Sequence, residues 1–254
     1  MQASVEELKF DAAVAQSLQD MYDLSDGKSS MSDWTTIADS GDDGVYWGSR
    51  PVLLPSGAPA TLIALRGSKS LLDWLRDLDA FCNPFVNKGL GPVHAGFKIG
   101  LDDVLQDALR LPGPYVVAGH SLGAARTALL AGLMVLKGVK PARIVCFGQP
   151  RPGFKQLADV LFDIPQGNYC NGAMAHDHDK VTDVPWKVGP NLYEHSGPLT
   201  YVDQAPALPE RMLLGMFARH HMPLYVAAMS KLVASVETSQ LNLPLTHPPQ
   251  ASVS

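Results

Sequence analysis

Between Tyr115 and Leu133 an apolar run breaks at a tight glycine turn around a serine and resumes as a stretch rich in alanine and leucine. Tyr115-Val116-Val117-Ala118 is short, apolar and uncharged, the composition of a strand buried on both faces. Ala124, Ala125, Ala128, Leu129, Leu130, Ala131 and Leu133 follow, small and apolar enough for a helix packed closely on a sheet. Between them stands Gly119-His120-Ser121-Leu122-Gly123. A strand that turns this sharply into a helix lifts its middle side chain above the sheet edge, where a base can reach it. Glycines two positions to either side remove side chains that would strike the neighbouring strand and helix. The helix beginning at Leu122 aims its free N–H groups and positive dipole end at the same point. The pentapeptide alone is a weak signal. Its strand and helix context sets it apart from an ordinary corner with a solvated serine.

The rest of the chain sets bounds. Its 254 residues, 46% of them hydrophobic, suffice for one large core, read as a single domain over 1–237. Residues 238–254 are polar and carry Pro244, Pro248 and Pro249, a tail expected to be disordered. A net charge of -5 without a basic run argues against a nucleic-acid partner. The longest apolar stretch, Ala128 to Leu136, is too short to cross a bilayer, so the chain reads as soluble, with no transmembrane segment. Its N-terminus lacks a basic start followed by an apolar core. No signal peptide is visible, and the chain as it stands reads as cytoplasmic, or as extracellular if a leader was removed or secretion is leaderless. Cys82, Cys146 and Cys170 make no disulfide framework; Cys146 reads as a core residue, and free thiols are favoured over a Cys82–Cys170 pair.

Apolar spacing predicts helices over 5–24, 71–81, 94–109 and 154–162, and one over 209–236 interrupted at Pro223. Strands are expected at 61–66, 115–118, 143–147 and 191–195, and a hairpin over 33–50 that turns at Gly41-Asp42-Asp43-Gly44. Strands alternating with helices imply an α/β fold with a largely parallel central sheet and helices on both faces. Ligands in such folds bind beyond the carboxyl ends of strands, where the Ser121 turn lies.

A serine hydroxyl at neutral pH needs a histidine to take its proton, a carboxylate to orient that histidine, and donors for the developing oxyanion. In α/β-hydrolases the acid and then the base follow the serine in the chain. Asp177, Asp179 and Asp183 are the candidate acids; His195, His220, His221 and His247 are the candidate bases. His176 and His178 with the neighbouring aspartates also have the look of a metal cluster, but a third ligand at sensible spacing is missing. His120 reads as shaping the turn.

The chain resembles the fungal-type (class 3) lipases of the α/β-hydrolases from about Thr61 to Tyr225. The matching segments are Leu62 to Ser68, Asp73 to Asp77, Val93 to Phe97, Val117 to Ala124, Phe147 to Gly153, Asp179 to Pro185 and His220 to Tyr225. Several segments in the right order are far more specific than any one of them. The resemblance implies an oxyanion hole from Ser68, after Arg66-Gly67, and from the N–H of Leu122. Asp179, with Val181 and Pro185, matches the family's acid. His220, with Tyr225 after it, matches the base, and His221 is its close rival; His195 matches a structural histidine.

The expectation is therefore a serine carboxylic ester hydrolase, most readily a triacylglycerol lipase or lipolytic esterase, that needs no cofactor and no metal. Its partners would be a small-molecule or lipid ester and, transiently, a lipid–water interface. A phospholipase A1-type enzyme or a short-chain carboxylesterase is the alternative, and a non-catalytic lipid-binding protein on the same fold is a reading of a different class. The apolar face Leu71, Leu72, Trp74, Leu75 and Leu78 makes the helix over 70–81 a candidate lid.

Overall fold

The computed structural model describes residues 3–28, 33–38, 45–68, 84–173, 177–185, 192–206 and 215–241. The expected lid helix, the Gly41–Gly44 turn, Cys82, His176 and His247 lie outside the described residues.

Alternation along the strands builds two cores. In β3 (Pro59–Leu65), Leu62 and Ala64 face one side while Ile63 and Leu65 face the other. The same alternation continues in β6 (Tyr115–His120) and β7 (Arg143–Phe147). These strands lie in one sheet in the order β1 (Thr36–Ala38), β2 (Trp47–Leu53), β3, β6, β7, β8 (Gln166–Ala173) and β10 (Thr200–Val202). The pairs from β3 through β10 are parallel, and β1 and β2 extend the sheet antiparallel. A short β9 (Asp177–His178) pairs with the end of β8.

One sheet face carries α3 (Leu101–Ala108), α4 (Leu122–Leu136) and α5 (Lys155–Leu161). The other carries α1 (Val5–Ser25) and α6 (Met222–Leu241), through Val14, Leu18 and Met21 and through Tyr225, Ala228 and Met229. This is the expected α/β-hydrolase arrangement. Among the described residues no helix is long and apolar enough to cross a membrane.

The N-terminal helix starts at a capping box: the Glu7 N–H donates to Ser4 Oγ at 3.2 Å, and the Ser4 N–H donates to Glu7 Oε2 at 2.8 Å. Asp11, fully buried, anchors it. Both Asp11 oxygens accept from Arg143 at the start of β7, each at 2.6 Å, and Asp11 Oδ2 also accepts from the Tyr169 hydroxyl at 2.6 Å.

Several local expectations need correction. The helix expected over 94–109 is two pieces, α2 (Ala95–Lys98) and α3, because Gly100 adopts φ +76 and a Cβ there would stand 3.0 Å from Val45 Cγ2. The strand expected at 191–195 is reduced, among its described residues, to one bridge between Glu194 and Gly153, since the segment meets a loop and not the sheet. The expected interruption near Pro223 is present: a 3-10 helix over Gly215–His220 ends before His221, and Pro223 lies in the first turn of α6, where a missing N–H costs nothing. That helix continues to Leu241, past the expected domain end at 237, because no proline intervenes before Pro244 and Glu237 pairs with Lys9 on α1. β8, β10 and the β4–β5 hairpin (Pro84–Asn87 and Gly91–His94) were not anticipated. The hairpin ends on buried His94, stacked on Phe97 at 4.2 Å, with no hydrogen-bond partner for either ring nitrogen among the described residues. Burial lowers the His94 pKa to about 4.

Candidate active site

Ser121 follows β6 directly and has φ +59 and ψ -132. It is the single non-glycine residue with positive φ among the described residues. Such a conformation costs on the order of 1–3 kcal/mol and persists only where the surroundings enforce it. Here the Ser121 N–H donates to the Phe147 carbonyl at 3.0 Å, and the Ser121 carbonyl accepts from Ala124 and Ala125. Close packing explains the flanking glycines. A Cβ at Gly119 would lie 2.4 Å from the Gly123 carbonyl oxygen, and one at Gly123 would lie 2.1 Å from that of Leu65.

The Arg66-Gly67-Ser68 loop leaves the end of β3, the parallel neighbour of β6, with Leu65 in register with Gly119. A Cβ at Gly67 would stand 2.7 Å from Ser121 Cβ, so the loop passes directly against the serine. Ser68 and Leu122 thus share one end of the sheet. Leu122 is the first residue of α4, and its N–H is one of the donors that no helical turn satisfies.

Asp179 reaches the same end from the loop after β9. Its N–H donates to the Asn171 carbonyl at 2.7 Å, and its Oδ1 accepts from the Val181 N–H at 3.0 Å, capping a 3-10 turn over Lys180–Asp183. Asp179 Oδ2 is 2.6 Å from His220 Nδ1 and accepts from the Tyr225 hydroxyl at 2.6 Å. A carboxylate on Nδ1 selects the tautomer with Nδ1–H and leaves Nε2 as the basic nitrogen. Burial alone would raise the Asp179 pKa, but the charge of His220 and the hydrogen bonds it receives outweigh that and hold it below the usual carboxylate range. Burial and the Asp179 charge push the Tyr225 hydroxyl well up, so it stays a donor. His220 Nε2 is buried and has no hydrogen-bond partner among the described residues, Ser121 included. Such contacts often tighten only with substrate bound.

Gly148, with φ +58, lies beside this pair. A Cβ there would be 2.7 Å from Asp179 Oδ2 and 2.8 Å from His220 Cε1. The ring of His120, the residue before the serine, stacks on the His220 ring at 4.6 Å.

The rival candidates are engaged elsewhere. Asp177 is exposed and pairs with Arg219, and Asp183 pairs with His178 and Arg151. His221 is exposed, whereas His220 is buried. Among the described residues, no three His, Cys, Asp or Glu side chains gather as a metal site would require. Cys146 and Cys170 are buried free thiols.

Two residues that the sequence does not single out pin the 3-10 helix (Gly215–His220) that ends on His220. Arg219 bonds Asp177 Oδ2 at 2.6 Å and Asp203 Oδ1 at 3.0 Å. Asn171 Nδ2 donates to the Arg219 and Gln204 carbonyls, both at 3.0 Å. Adjacency of Arg219 to the candidate base was the one signal available.

Residues 62–189 match the family model described as Lipase (class 3). The chain belongs to the class 3 lipase family. Proteins named secreted mono- and diacylglycerol lipase A, from Penicillium cyclopium and Penicillium camembertii, are each 32% identical over 136 residues, 50% of this chain and 43% of each relative. The match thus spans less than half the length of those relatives. The fold matches solved fungal structures. The Rhizomucor miehei triacylglyceride lipase superposes with a TM-score of 0.58 at 21% identity, over 77% of this chain and 79% of that one. A mutant form of MDLA from Penicillium cyclopium gives 0.58 at 22%, over 81% and 83%.

Proposed function

We propose that this class 3 lipase family member is a serine carboxylic ester hydrolase acting on acylglycerols. The observation that supports the reading is the 2.6 Å contact between buried Asp179 and His220 Nδ1, with His220 Nε2 left without a partner among the described residues and its ring stacked on that of His120, the residue before the strained Ser121. Ser121 Oγ attacks the ester carbonyl while His220 Nε2 takes its proton. The oxyanion is held by the N–H groups of Ser68 and Leu122. His220 then returns the proton to the leaving alcohol, leaving an acyl-enzyme, and water cleaves it by the same route. Asp179 keeps the ring oriented and stabilises the imidazolium, and Tyr225 fixes Asp179. The reaction draws on no cofactor. The acylglycerol preference follows from the family and from the names of the Penicillium relatives, and their description as secreted supports the extracellular alternative for this chain.

Hydrolysis of p-nitrophenyl esters, mono-, di- and triacylglycerols and phospholipids, run beside Ser121→Ala, tests this reading. Acylglycerol turnover that disappears in the variant, with organophosphate labelling of the parent at Ser121, is the expected result. Turnover confined to phospholipids or short soluble esters moves the substrate class. Absence of both turnover and label defeats the enzyme reading in favour of a lipid-binding protein.

A further inference from the structure

Tyr22 stands near the end of α1, outside the residues matched to the family model, and its spacing reads as part of a core-facing stripe. Its hydroxyl is nevertheless engaged on two sides. It accepts from the Gly67 N–H at 3.1 Å, and it lies 2.7 Å from His120 Nδ1. His120 Nε2 lies 2.7 Å from the carbonyl oxygen of His220.

The directions of these bonds are fixed by elimination. A carbonyl only accepts, so His120 Nε2 carries the proton. The neutral ring then has Nδ1 as an acceptor, so the Tyr22 hydroxyl donates to it, and the same oxygen accepts from Gly67. The result is one continuous run from the Gly67 N–H through Tyr22 and His120 to the backbone of His220. It begins one residue before Ser68 and ends on the residue read as the base. The chemistry of each group agrees with this order. Burial and the nearby His220 lower the His120 pKa to about 3, which keeps the ring neutral, and burial pushes the Tyr22 hydroxyl well above its ordinary value.

We propose that Tyr22 is a positioning residue that ties the oxyanion loop to the base, so that helix α1 belongs to the catalytic apparatus as well as to the core. The inference rests on the serine hydrolase reading above. Tyr22 touches no reacting atom. It sets the distance between the Gly67-Ser68 backbone and the His220 backbone through one side chain. Loss of its hydroxyl leaves Gly67 without its acceptor and frees His120 to adopt the other tautomer, in which Nε2 would repel the His220 carbonyl. Both halves of the site then lose definition in the transition state, while the substrate-binding surface is untouched.

The test uses the full chain, p-nitrophenyl butyrate as substrate and an alkyl trifluoromethyl ketone, whose hemiketal adduct with Ser121 places an oxyanion in the hole. Tyr22→Phe keeps the ring and should lower kcat about ten-fold with KM within about two-fold of the parent, the signature of an interaction made only in the transition state. Ketone affinity should fall by a similar factor. Tyr169→Phe, which removes the hydroxyl that helps anchor the same helix at Asp11, should lower the melting temperature and leave kcat and ketone affinity within about two-fold. His120→Phe cuts the run from its other end and should reproduce the loss confined to kcat. The double variant should fall no further than His120→Phe alone, since both act through one path. Unchanged kcat in Tyr22→Phe, a rise in KM alone, an equal kcat loss in Tyr169→Phe, or additive losses in the double variant each overturn the proposal. A parent that neither turns over the ester nor binds the ketone overturns the hydrolase reading itself, a different result from a responsive parent with an indifferent Tyr22→Phe.

Discussion

Two buried carboxylates each have a tyrosine partner and differ in the nitrogenous side chain that they face. Asp11 and Asp179 are both fully buried, and each accepts a tyrosine hydroxyl at 2.6 Å, from Tyr169 and Tyr225 respectively. Each also faces a nitrogenous side chain at 2.6 Å. For Asp11 that side chain is Arg143, permanently charged and gripping both carboxylate oxygens. For Asp179 it is His220, which meets one carboxylate oxygen through Nδ1 and whose second ring nitrogen has no partner among the described residues. The first cluster is closed: it fastens a helix to a strand and has nothing left to offer. The second has one open valence among the described residues, on a ring that stacks against His120, the neighbour in sequence of the strained serine. Burial of a charge by itself therefore marks neither function nor stability. What separates the two is whether every donor and acceptor is spent.

The sharpest way to break this comparison is to neutralise each carboxylate in turn. Asp179→Asn should lower kcat/KM about 10⁴-fold, because an amide permits the wrong histidine tautomer. Steady-state ester hydrolysis measures it, and a loss below about ten-fold would place the acid elsewhere. Asp11→Asn should cost about 3–5 kcal/mol of unfolding free energy by urea titration, since it leaves the buried Arg143 charge only the more exposed Glu7, at 3.4 Å. The folded fraction should keep its kcat, and a matching fall in kcat would erase the distinction between the clusters.

A smaller effect separates the two buried histidines. Among the described residues His120 is bonded through both nitrogens and His94 through neither, yet burial lowers both pKa values, to about 3 and about 4. The unfolded chain therefore binds protons that the folded chain refuses once the pH drops below about 6.5. Stability is full above that value and declines on acidification, by about 1.4 kcal/mol per pH unit for each histidine until its folded pKa is reached. The depressed Asp179 pKa contributes only at more acidic pH, below the unfolded carboxylate value. His94→Phe should flatten the dependence of unfolding free energy on pH between 6 and 5 by one histidine's share; an unchanged slope would mean that the His94 ring is protonated when folded.

The Ser121 turn was legible because its strand, glycines and helix are contiguous, and each is enforced by short-range sterics. The α/β class followed from alternation that the strands of both cores obey. Asp179 and His220 were harder, since three aspartates and several histidines compete locally; what separates them is contact across the fold, with Tyr225 and with each other. β8 escaped notice for a related reason. Its Asn168 and Asn171 look like loop residues, yet both are buried, and their amide nitrogens donate to Gln149 Oε1 and the Gly197 carbonyl and to the Gln204 and Arg219 carbonyls respectively. Tyr22 was read as packing, and its ring agrees with that; only the placement of Gly67 and His120 reveals what its oxygen does.

Gly148 shows how little is needed to undo the arrangement. Its bare backbone occupies the space that a single methyl group would need to wedge acid from base. Alleles that silence this protein need not alter any residue that performs chemistry. A change to alanine or serine at this one position, ordinarily dismissed as mild, should strain the backbone and force Asp179 and His220 apart, so any inspection of natural variants that checks only Ser121, Asp179 and His220 would pass it as intact.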